Sequence, residues 1–489
     1  MFSHTLTKNI LNTFVYQILS KGLGYIKYLI FAVAFGMSYE MDAYSMALTV
    51  LDVSMFVIGH VFTVVGVPQL VKAKKKSLLS FKRLSGSIFT FALVLTIVLV
   101  PLQYIYFDSI ISFLAPGFDA QKIERSYDIF NYFIGMSVIY LPFFALLSFF
   151  RALNLFNISN LIEFIVSLLS FSFLIIMSKT DVSVIPLSLS IGYVIAILFS
   201  LYFARKIKII GFYGSLFRKE LKEIYINAFK LSLWFLVLQF IRVVDKGFAS
   251  LLENGMIIAL MYSSMILSGI GFIFNFATVY LTKFSEGVNK GLLFTKAIKL
   301  YITISIPIIV FLIFYSHDLI KLIYGYGAFD NTAVLVTSQL VSLFSPLLFL
   351  GLVNSLFQSL YQSLNKYSYM IFLSFVGVVL NFILNSYLID DYKIYGIAIA
   401  TSFSTTVIFF INIYFIRYKE GININYLELI KYFSKIFIIT SLSYIVTLIV
   451  SDFIFNVFIF FMSYFILLYF IRDEFFMRVI NEIKGKLNV

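Results

Sequence analysis

Two lysines near the beginning of the chain lie inside a segment that is apolar enough to cross a bilayer. Lys21 and Lys27 belong to this segment, and Asp42 opens the next apolar run after a break at Gly36. An ionisable group at the bilayer centre costs roughly 2.5–3.5 kcal/mol or more, so it usually faces a water-filled cavity. Lys21 can extend its ammonium group to the headgroup layer. Lys27 lies about 9 Å further along the helix, which favours an aqueous cavity.

A second group of charges, Arg242, Asp245 and Lys246, lies in a later apolar run. Arg242 and Lys246 share a helix face, with the carboxylate close by. Such a group is consistent with an internal ion pair. It is equally consistent with a basic, water-filled cleft that binds a diphosphate, in which arginine acts as a fork and lysine as a point charge. Asp52 and His60 extend the set of candidate binding residues in the second apolar run.

Oxygen-bearing side chains form a third group. Asn381 and Asn385 share one helix face, and Thr401 begins the following apolar run. Interhelical hydrogen bonding is the common reason for such residues in membrane helices. Together with Asp245 they would also supply the oxygen ligands that a hard cation prefers, so we expect possible coupling to sodium and no other cofactor.

Composition identifies the class of protein that must position these residues. The chain has 489 residues, of which 61% are hydrophobic and 12% charged, whereas about a quarter are charged in soluble domains. We therefore predict an all-α polytopic membrane protein. The net charge of +13 lies mostly in short loops, which favours lipid headgroups over nucleic acid as the partner. The sequence has no phosphate-binding glycine loop, nucleophile elbow or zinc-protease motif, so we expect no enzyme activity.

Apolar runs long enough to span about 30 Å of hydrocarbon predict about fourteen transmembrane helices. Lysine and arginine are concentrated in alternate loops, which predicts that both termini are cytoplasmic. The predicted spans are 11–35, 42–70, 84–106, 127–150, 157–178, 182–204, 225–252, 256–281, 295–316, 333–361, 367–389, 394–416, 428–449 and 452–471.

Two similar segments indicate an internal repeat. SFFRALNLFNIS at 148–159 is similar to SLYQSLNKYSYM at 359–370, and a Gly-Phe-Asp or Ala-Phe-Asp element precedes each copy. Two six-helix lobes in parallel pseudo-repeat, followed by a C-terminal helix pair, account for this spacing. The predicted divisions are an N-terminal lobe at 1–206, a C-terminal lobe at 207–420, and the helix pair with a basic cytoplasmic tail at 421–489.

The first two spans resemble those of the MurJ/MviN lipid II flippases, members of the multidrug/oligosaccharidyl-lipid/polysaccharide exporter superfamily. The likeness lies in the S-K-x-L-G-x-x-K run at 20–27, Phe35-Gly36, Asp42-Ala43 and Val67-Pro68, and continues more weakly in later elements such as Ala115 to Phe118 and Tyr324 to Gly327.

The resemblance implies roles for individual residues. Lys21 and Lys27 fall where the family usually has cavity arginines, and Asp42 falls on its characteristic acidic residue. Asp245, Asn381, Asn385 and Thr401 fall on positions similar to the family's sodium site. Three positions depart from the pattern: Met55 and Met265 replace further cavity arginines, and His60 replaces an acidic residue.

These observations predict a flippase that carries a polyprenyl-diphosphate-linked saccharide across the bacterial cytoplasmic membrane by alternating access. The saccharide lipid would be lipid II or a related cell-wall or surface-polysaccharide precursor on an undecaprenyl chain, and the protein would act as a monomer. The candidate substrate-binding residues are Lys21, Lys27, Asp42, Asp52, His60, Arg242 and Lys246. A cation-coupled multidrug exporter of the same superfamily is the alternative. Its cationic cargo would favour an acidic cavity, whereas base is in excess here.

Overall fold

The computed structural model describes residues 4–177, 181–207, 219–286, 289–364, 366–450, 452–473 and 476–477. Within these ranges the chain is helical and has no strand, in agreement with the predicted all-α class. The basic tail predicted from the sequence lies almost entirely outside the described residues.

Seventeen helices, α1 to α17, follow one another along the described chain when the π-helical turns at 52–56 and 62–66 are included in α2. In order they are His4–Phe35, Tyr39–Lys76, Leu78–Ile105, Phe107–Leu114, Ala120–Asn131, Ile134–Ala152, Phe156–Met177, Val184–Lys206, Lys219–Ala249, Met256–Phe274, Ala277–Ser285, Lys290–Tyr324, Asn331–Phe344, Pro346–Ser363, Tyr367–Tyr414, Tyr426–Thr447 and Phe453–Phe470.

Eleven helices among the described residues are long and apolar enough to cross a membrane, or twelve if the bent pair α13 and α14 forms one span. The predicted count of about fourteen is not confirmed by this criterion. Two predicted spans run together in α15, which bends at Lys393, where φ is 50° and ψ is −132°. The predicted seventh span lies in α9, which carries Arg242, Asp245 and Lys246 and is not among the eleven.

The second span contains two irregularities that its sequence did not predict. Five-residue π-helical turns occupy Asp52–Phe56 and Phe62–Gly66, and His60 lies between them. A π-helical turn changes the direction of the side chains that follow it, and such turns are frequent at functional sites. His60, which follows the first turn, therefore depends on it for its orientation, and Asp52 begins that turn.

The internal repeat is visible in the caps of equivalent helices. Asp119 accepts a hydrogen bond from the backbone N–H of Lys122 at 2.7 Å, and this interaction caps the N-terminus of α5. Asp330 accepts the equivalent bond from Ala333, also at 2.7 Å, at the start of α13. Both aspartates belong to the Gly-Phe-Asp and Ala-Phe-Asp elements of the repeat. The similarity between the two copies therefore reflects the same geometry at the start of a helix.

The turns that follow the next helix also match. After α6, the N–H of Leu155 donates to the carbonyl of Phe150 at 2.9 Å, and Asn154 has a φ of 63°. After α14, the N–H of Lys366 donates to the carbonyl of Tyr361 at 2.8 Å. These bonds close the same kind of helix C-terminus, which satisfies carbonyls that the helix itself leaves without partners.

Contacts between Cα atoms divide the chain into two compact units. Unit 1 contains Met1–Ala259 and Tyr326–Ala333, and unit 2 contains Leu260–Gly325 and Val334–Val489. Unit 1 therefore includes α9 and a short segment from much later in the sequence. The predicted boundaries at 206 and 420 follow the repeat and not this packing, and they stay a prediction.

Two glycines allow the later segment of unit 1 to pack against the end of α1. Gly36 has a φ of 56°, and a Cβ atom there would lie 2.2 Å from the carbonyl oxygen of Ala328. Gly327 has a φ of 61°, and its Cβ would lie 2.3 Å from the carbonyl oxygen of Val33. The backbone N–H of Ala328 donates to that same Val33 oxygen at 2.8 Å. The two segments therefore approach closely only where side chains are absent.

We predict that Gly36→Ala destabilises the protein, because alanine must adopt an unfavourable positive φ and displace the Ala328 carbonyl. The backbone conformation alone costs about 1–3 kcal/mol. The thermal unfolding midpoint of the detergent-solubilised protein should fall clearly. Gly22→Ala is the matched control, because a Cβ at Gly22 has nothing within 4 Å. Equal midpoints for the two variants would contradict this account of the packing.

Candidate functional site

The carboxylate of Asp42 is buried in unit 1 and accepts hydrogen bonds from three donors. Its side chain is 1% exposed. Its oxygens accept hydrogen bonds from the backbone N–H groups of Gly255 at 2.7 Å and Ile258 at 2.9 Å, at the N-terminus of α10. The positive end of that helix favours an anion. The predicted role of Asp42 in substrate binding stays a prediction. In this conformation three protein donors occupy its oxygens.

Lys122 supplies the third of these donors and completes a buried ion pair. Its ammonium lies 3.0 Å from the Asp42 carboxylate and also donates to the Asn254 side chain at 2.8 Å. The ring of Phe118 lies 4.5 Å away, close enough for a cation–π interaction. Lys122 and Asp42 together connect α5, α2 and the turn that leads into α10.

Lys246 of α9 contacts α2 at Thr49, about two helical turns beyond Asp42. Its ammonium donates to the Thr49 hydroxyl at 2.8 Å and to the Ser45 carbonyl at 3.3 Å. It also interacts electrostatically with Asp52 and Arg242. The structure therefore brings together three of the predicted binding residues, Asp52, Arg242 and Lys246, between α2 and α9.

His60 lies on α2 beyond Asp42 and Asp52. Its ring contacts Phe144 of α6 and Phe235 of α9, with centroid distances of 5.9 Å and 6.2 Å. Arg151, at the end of α6, interacts with it electrostatically. The guanidinium of Arg151 forms an ion pair with Glu163 of α7 at 2.8 Å. His60 therefore interacts electrostatically with a charged pair.

The two lysines of α1 have different surroundings. Lys27 donates to the Ser170 hydroxyl of α7 at 3.0 Å and is partly buried, whereas Lys21 is exposed. The predicted aqueous cavity at Lys27 stays a prediction. Of the methionines at the family's arginine positions, Met55 is fully buried in the first π-helical turn, and Met265 is partly exposed in α10.

Three of the four predicted cation ligands form a hydrogen-bonded group in unit 2. Asn381 donates to the Thr401 hydroxyl at 3.0 Å, and Asn385 donates to the side-chain oxygen of Asn381 at 3.2 Å. Both asparagines are fully buried. Asp245, the fourth, is buried in the last turns of α9 in unit 1. Across the described chain, no group of three or more His, Asp or Glu residues comes together as a metal site.

Sequence reasoning missed three partners that the structure provides: Lys122, Arg151 and Ser170. Lys122 lies between two predicted spans, and Arg151 lies in the repeated junction motif; neither position by itself indicates a partner for a buried carboxylate. Glu163 did carry a usable signal, because a carboxylate inside an apolar span requires a partner. Glu163 lies on α7, which packs on α1 and α6, so its partner is expected on a neighbouring helix.

A further ion pair lies outside the membrane spans. Arg125 of α5 binds Asp181, which precedes α8, and Ser183 donates to the same carboxylate at 2.6 Å. Burial alone would raise the pKa of Asp181, but the Ser183 hydrogen bond and the Arg125 charge together lower it below its usual value. The pair joins two peripheral segments and has no described contact with the charges along α2.

Comparisons with known proteins give a consistent result. The family model described as lipid II flippase MurJ matches residues 31–472. The probable lipid II flippase MurJ of Buchnera aphidicola subsp. Schizaphis graminum is 24% identical over 436 residues, which cover 85% of this chain and 84% of that protein. Its counterpart from Buchnera aphidicola subsp. Baizongia pistaciae is 25% identical over 429 residues, which cover 83% and 82% of the two chains.

Solved structures show the same fold. The lipid II flippase MurJ in an inward closed conformation superposes with a TM-score of 0.81 at 22% identity, covering 95% of this chain and 99% of that chain. An inward-facing multidrug resistance MATE family transporter of the MOP superfamily superposes with a TM-score of 0.66 at 13% identity, covering 82% and 94%. At these identities the likeness concerns the fold alone.

We predict that Asp42→Asn destabilises the protein by about 3–5 kcal/mol, because it leaves the Lys122 ammonium buried without its counter-charge. Lys122→Met should also destabilise it. The double variant should lose less stability than the two single losses added together, since both charges are then absent. Thermal unfolding of the four proteins measures this coupling.

Arg125→Gln is the control for this cycle, because its ion pair with Asp181 is partly exposed and therefore contributes little. Strict additivity of the Asp42 and Lys122 variants would show that the two charges do not depend on each other.

Proposed function

The chain belongs to the lipid II flippase MurJ family, and from this premise we propose that it moves a polyprenyl-diphosphate-linked saccharide across the bacterial inner membrane. The cargo is lipid II or a related cell-wall or surface-polysaccharide precursor. The protein passes through the membrane several times, and it acts by alternating access without making or breaking a bond. We propose further that it works as a monomer with both termini in the cytoplasm, as the distribution of lysine and arginine in the loops suggests.

The observation that carries this proposal is the set of cations placed inside apolar helices of unit 1. Lys27, Lys246 and Arg242 lie within or beside predicted spans, and Lys27 and Lys246 are held by neutral oxygen atoms of Ser170, Thr49 and Ser45. A hydroxyl or carbonyl orients an ammonium group without neutralising it. Lys27 therefore retains charge that can bind the diphosphate of a lipid carrier, and Lys246 and Arg242 together bring two positive charges to the one carboxylate of Asp52.

The multidrug exporter alternative has less support. The likeness to a MATE transporter concerns the fold, whereas the family match covers most of the chain. A cavity for cationic drugs requires surplus carboxylate. In unit 1, however, Asp42 is bound to Lys122 and Glu163 to Arg151, so these carboxylates are already matched by a cation.

We also propose sodium coupling through the group formed by Asn381, Asn385 and Thr401 in unit 2, and we propose Asp245 of unit 1 as an ion-sensing carboxylate. The amide and hydroxyl oxygens are of the kind that a hard cation prefers. The hydrogen bonds that join the three side chains in unit 2 support their acting together. Sodium would supply a charge whose binding stabilises one conformation of the transporter over another.

We predict that proteoliposomes containing the protein flip fluorescent undecaprenyl-diphosphate saccharides. Lys27→Ala should reduce the flipping rate at least about tenfold, corresponding to the loss of about 1.4 kcal/mol of binding. Lys27→Arg should retain flipping, because it keeps the charge. Lys283→Ala, which removes an exposed lysine of α11, is the matched control. If the folded wild-type protein moves no lipid-linked saccharide, the proposed function is wrong.

We predict that an imposed sodium gradient accelerates flipping by the wild type and that Asn385→Ala abolishes this acceleration. Asp245→Asn should have the same effect. Flipping rates measured with and without the gradient provide the test, and a potassium gradient of equal size controls for membrane potential. Acceleration of Asn385→Ala to the wild-type extent would exclude this group as the sodium site.

A further inference from the structure

The ion pair between Arg151 and Glu163 lies in unit 1 at the level of His60. Arg151 is in the last turn of α6, and Glu163 is in the second turn of α7. The tight turn between the helices, closed by the bond from Leu155 to Phe150, holds the two side chains close together. The pair remains partly accessible, with side-chain exposures of 25% for Arg151 and 31% for Glu163.

The geometry of this pair is that of a weak ionic contact. One guanidinium nitrogen, Nη2, donates to one carboxylate oxygen, Oε1, at 2.8 Å. A guanidinium group has five N–H donors and binds most strongly when two of them meet two oxygens in parallel. Since the contact uses one nitrogen and is partly exposed to solvent, a ligand with more charge and more oxygens can replace the carboxylate.

The same face of α7 also carries the partner of Lys27. Ser170, which accepts from Lys27, lies seven residues after Glu163, or about 10 Å along the helix. Arg151 and Lys27 therefore approach one face of α7 at successive levels.

We propose that Arg151 is an additional diphosphate-binding residue and that Glu163 occupies it until the lipid-linked substrate displaces the carboxylate. This inference rests on the proposed flippase function and extends it to a residue outside the positions at which the family resemblance indicates cavity cations. Two of those positions hold Met55 and Met265, which have no charge with which to bind phosphate. Arg151 adds a further guanidinium group to the cations of unit 1.

Glu163 has a separate part in this arrangement. Without it, the Arg151 guanidinium, which interacts electrostatically with His60, would lose its ion-pair partner. A carboxylate that is held by one hydrogen bond stabilises the substrate-free state and competes with the substrate. The two residues are thus expected to affect substrate affinity in opposite directions, although they form one ion pair.

Binding of undecaprenyl diphosphate to the full-length protein in nanodiscs tests the proposal. The single tryptophan, Trp234, is buried next to Phe235, whose ring contacts His60, so its fluorescence reports occupancy near this level. Arg151→Gln should weaken binding about tenfold, as expected for the loss of one charge-assisted contact. Glu163→Gln should tighten binding roughly threefold or more, because the competing carboxylate is absent. Arg125→Gln is the matched control and should bind as the wild type does.

The opposite signs separate binding from a structural role. An ion pair that only stabilises the fold predicts weaker binding or lower protein yield for both variants, so unchanged or weaker binding by Glu163→Gln would overturn the proposal. If Arg151→Gln does not fold, the Glu163→Gln result still decides, since tighter binding cannot come from destabilisation. Wild-type binding that Arg151→Gln leaves unchanged overturns this inference alone. Absence of wild-type binding overturns the proposed function itself.

Discussion

The cost of placing charge inside apolar helices governs the arrangement of unit 1. Asp42, Asp52 and His60 lie on α2 at intervals of about 15 Å and 12 Å along the helix, and each has cationic groups from other helices nearby. Only at Asp42 is the compensation complete, with Lys122 and the N-terminus of α10 as partners. The Asp42 site therefore stabilises the fold. The groups around Asp52 and His60 keep charge that a ligand can bind.

The two copies of the repeat share their framework and differ in chemistry. Asp119 and Asp330 start equivalent helices with the same hydrogen bond, and the turns after α6 and α14 close in the same way. The ion pair of Arg151 and Glu163 lies in unit 1, whereas the neutral group around Asn381 lies in unit 2. This division suits a transporter that binds an anionic headgroup with one set of residues and senses a small cation with another.

The irregular backbone of α2 explains how a span can carry both packing and binding residues. The first π-helical turn buries Met55 completely while Asp52, which begins the same turn, interacts with Lys246 and Arg242. A regular helix would give these side chains other directions. The methionine at a position where the family resemblance indicates arginine is therefore part of the packing, and the positive charge is supplied from α6 and α9.

The sequence by itself determined the class of protein, the family, most of the apolar helices and the repeat, because hydropathy and helix-start residues act locally. It also identified Lys27 and the pair Asn381 and Asn385, because polar residues inside apolar spans are evident from the sequence alone. The partners were decided by the tertiary structure. Lys122 meets Asp42, and Arg151 meets Glu163, through packing of helices that the sequence does not order in space. The π-helical turns depend on the same packing, since no local pattern in α2 indicates them.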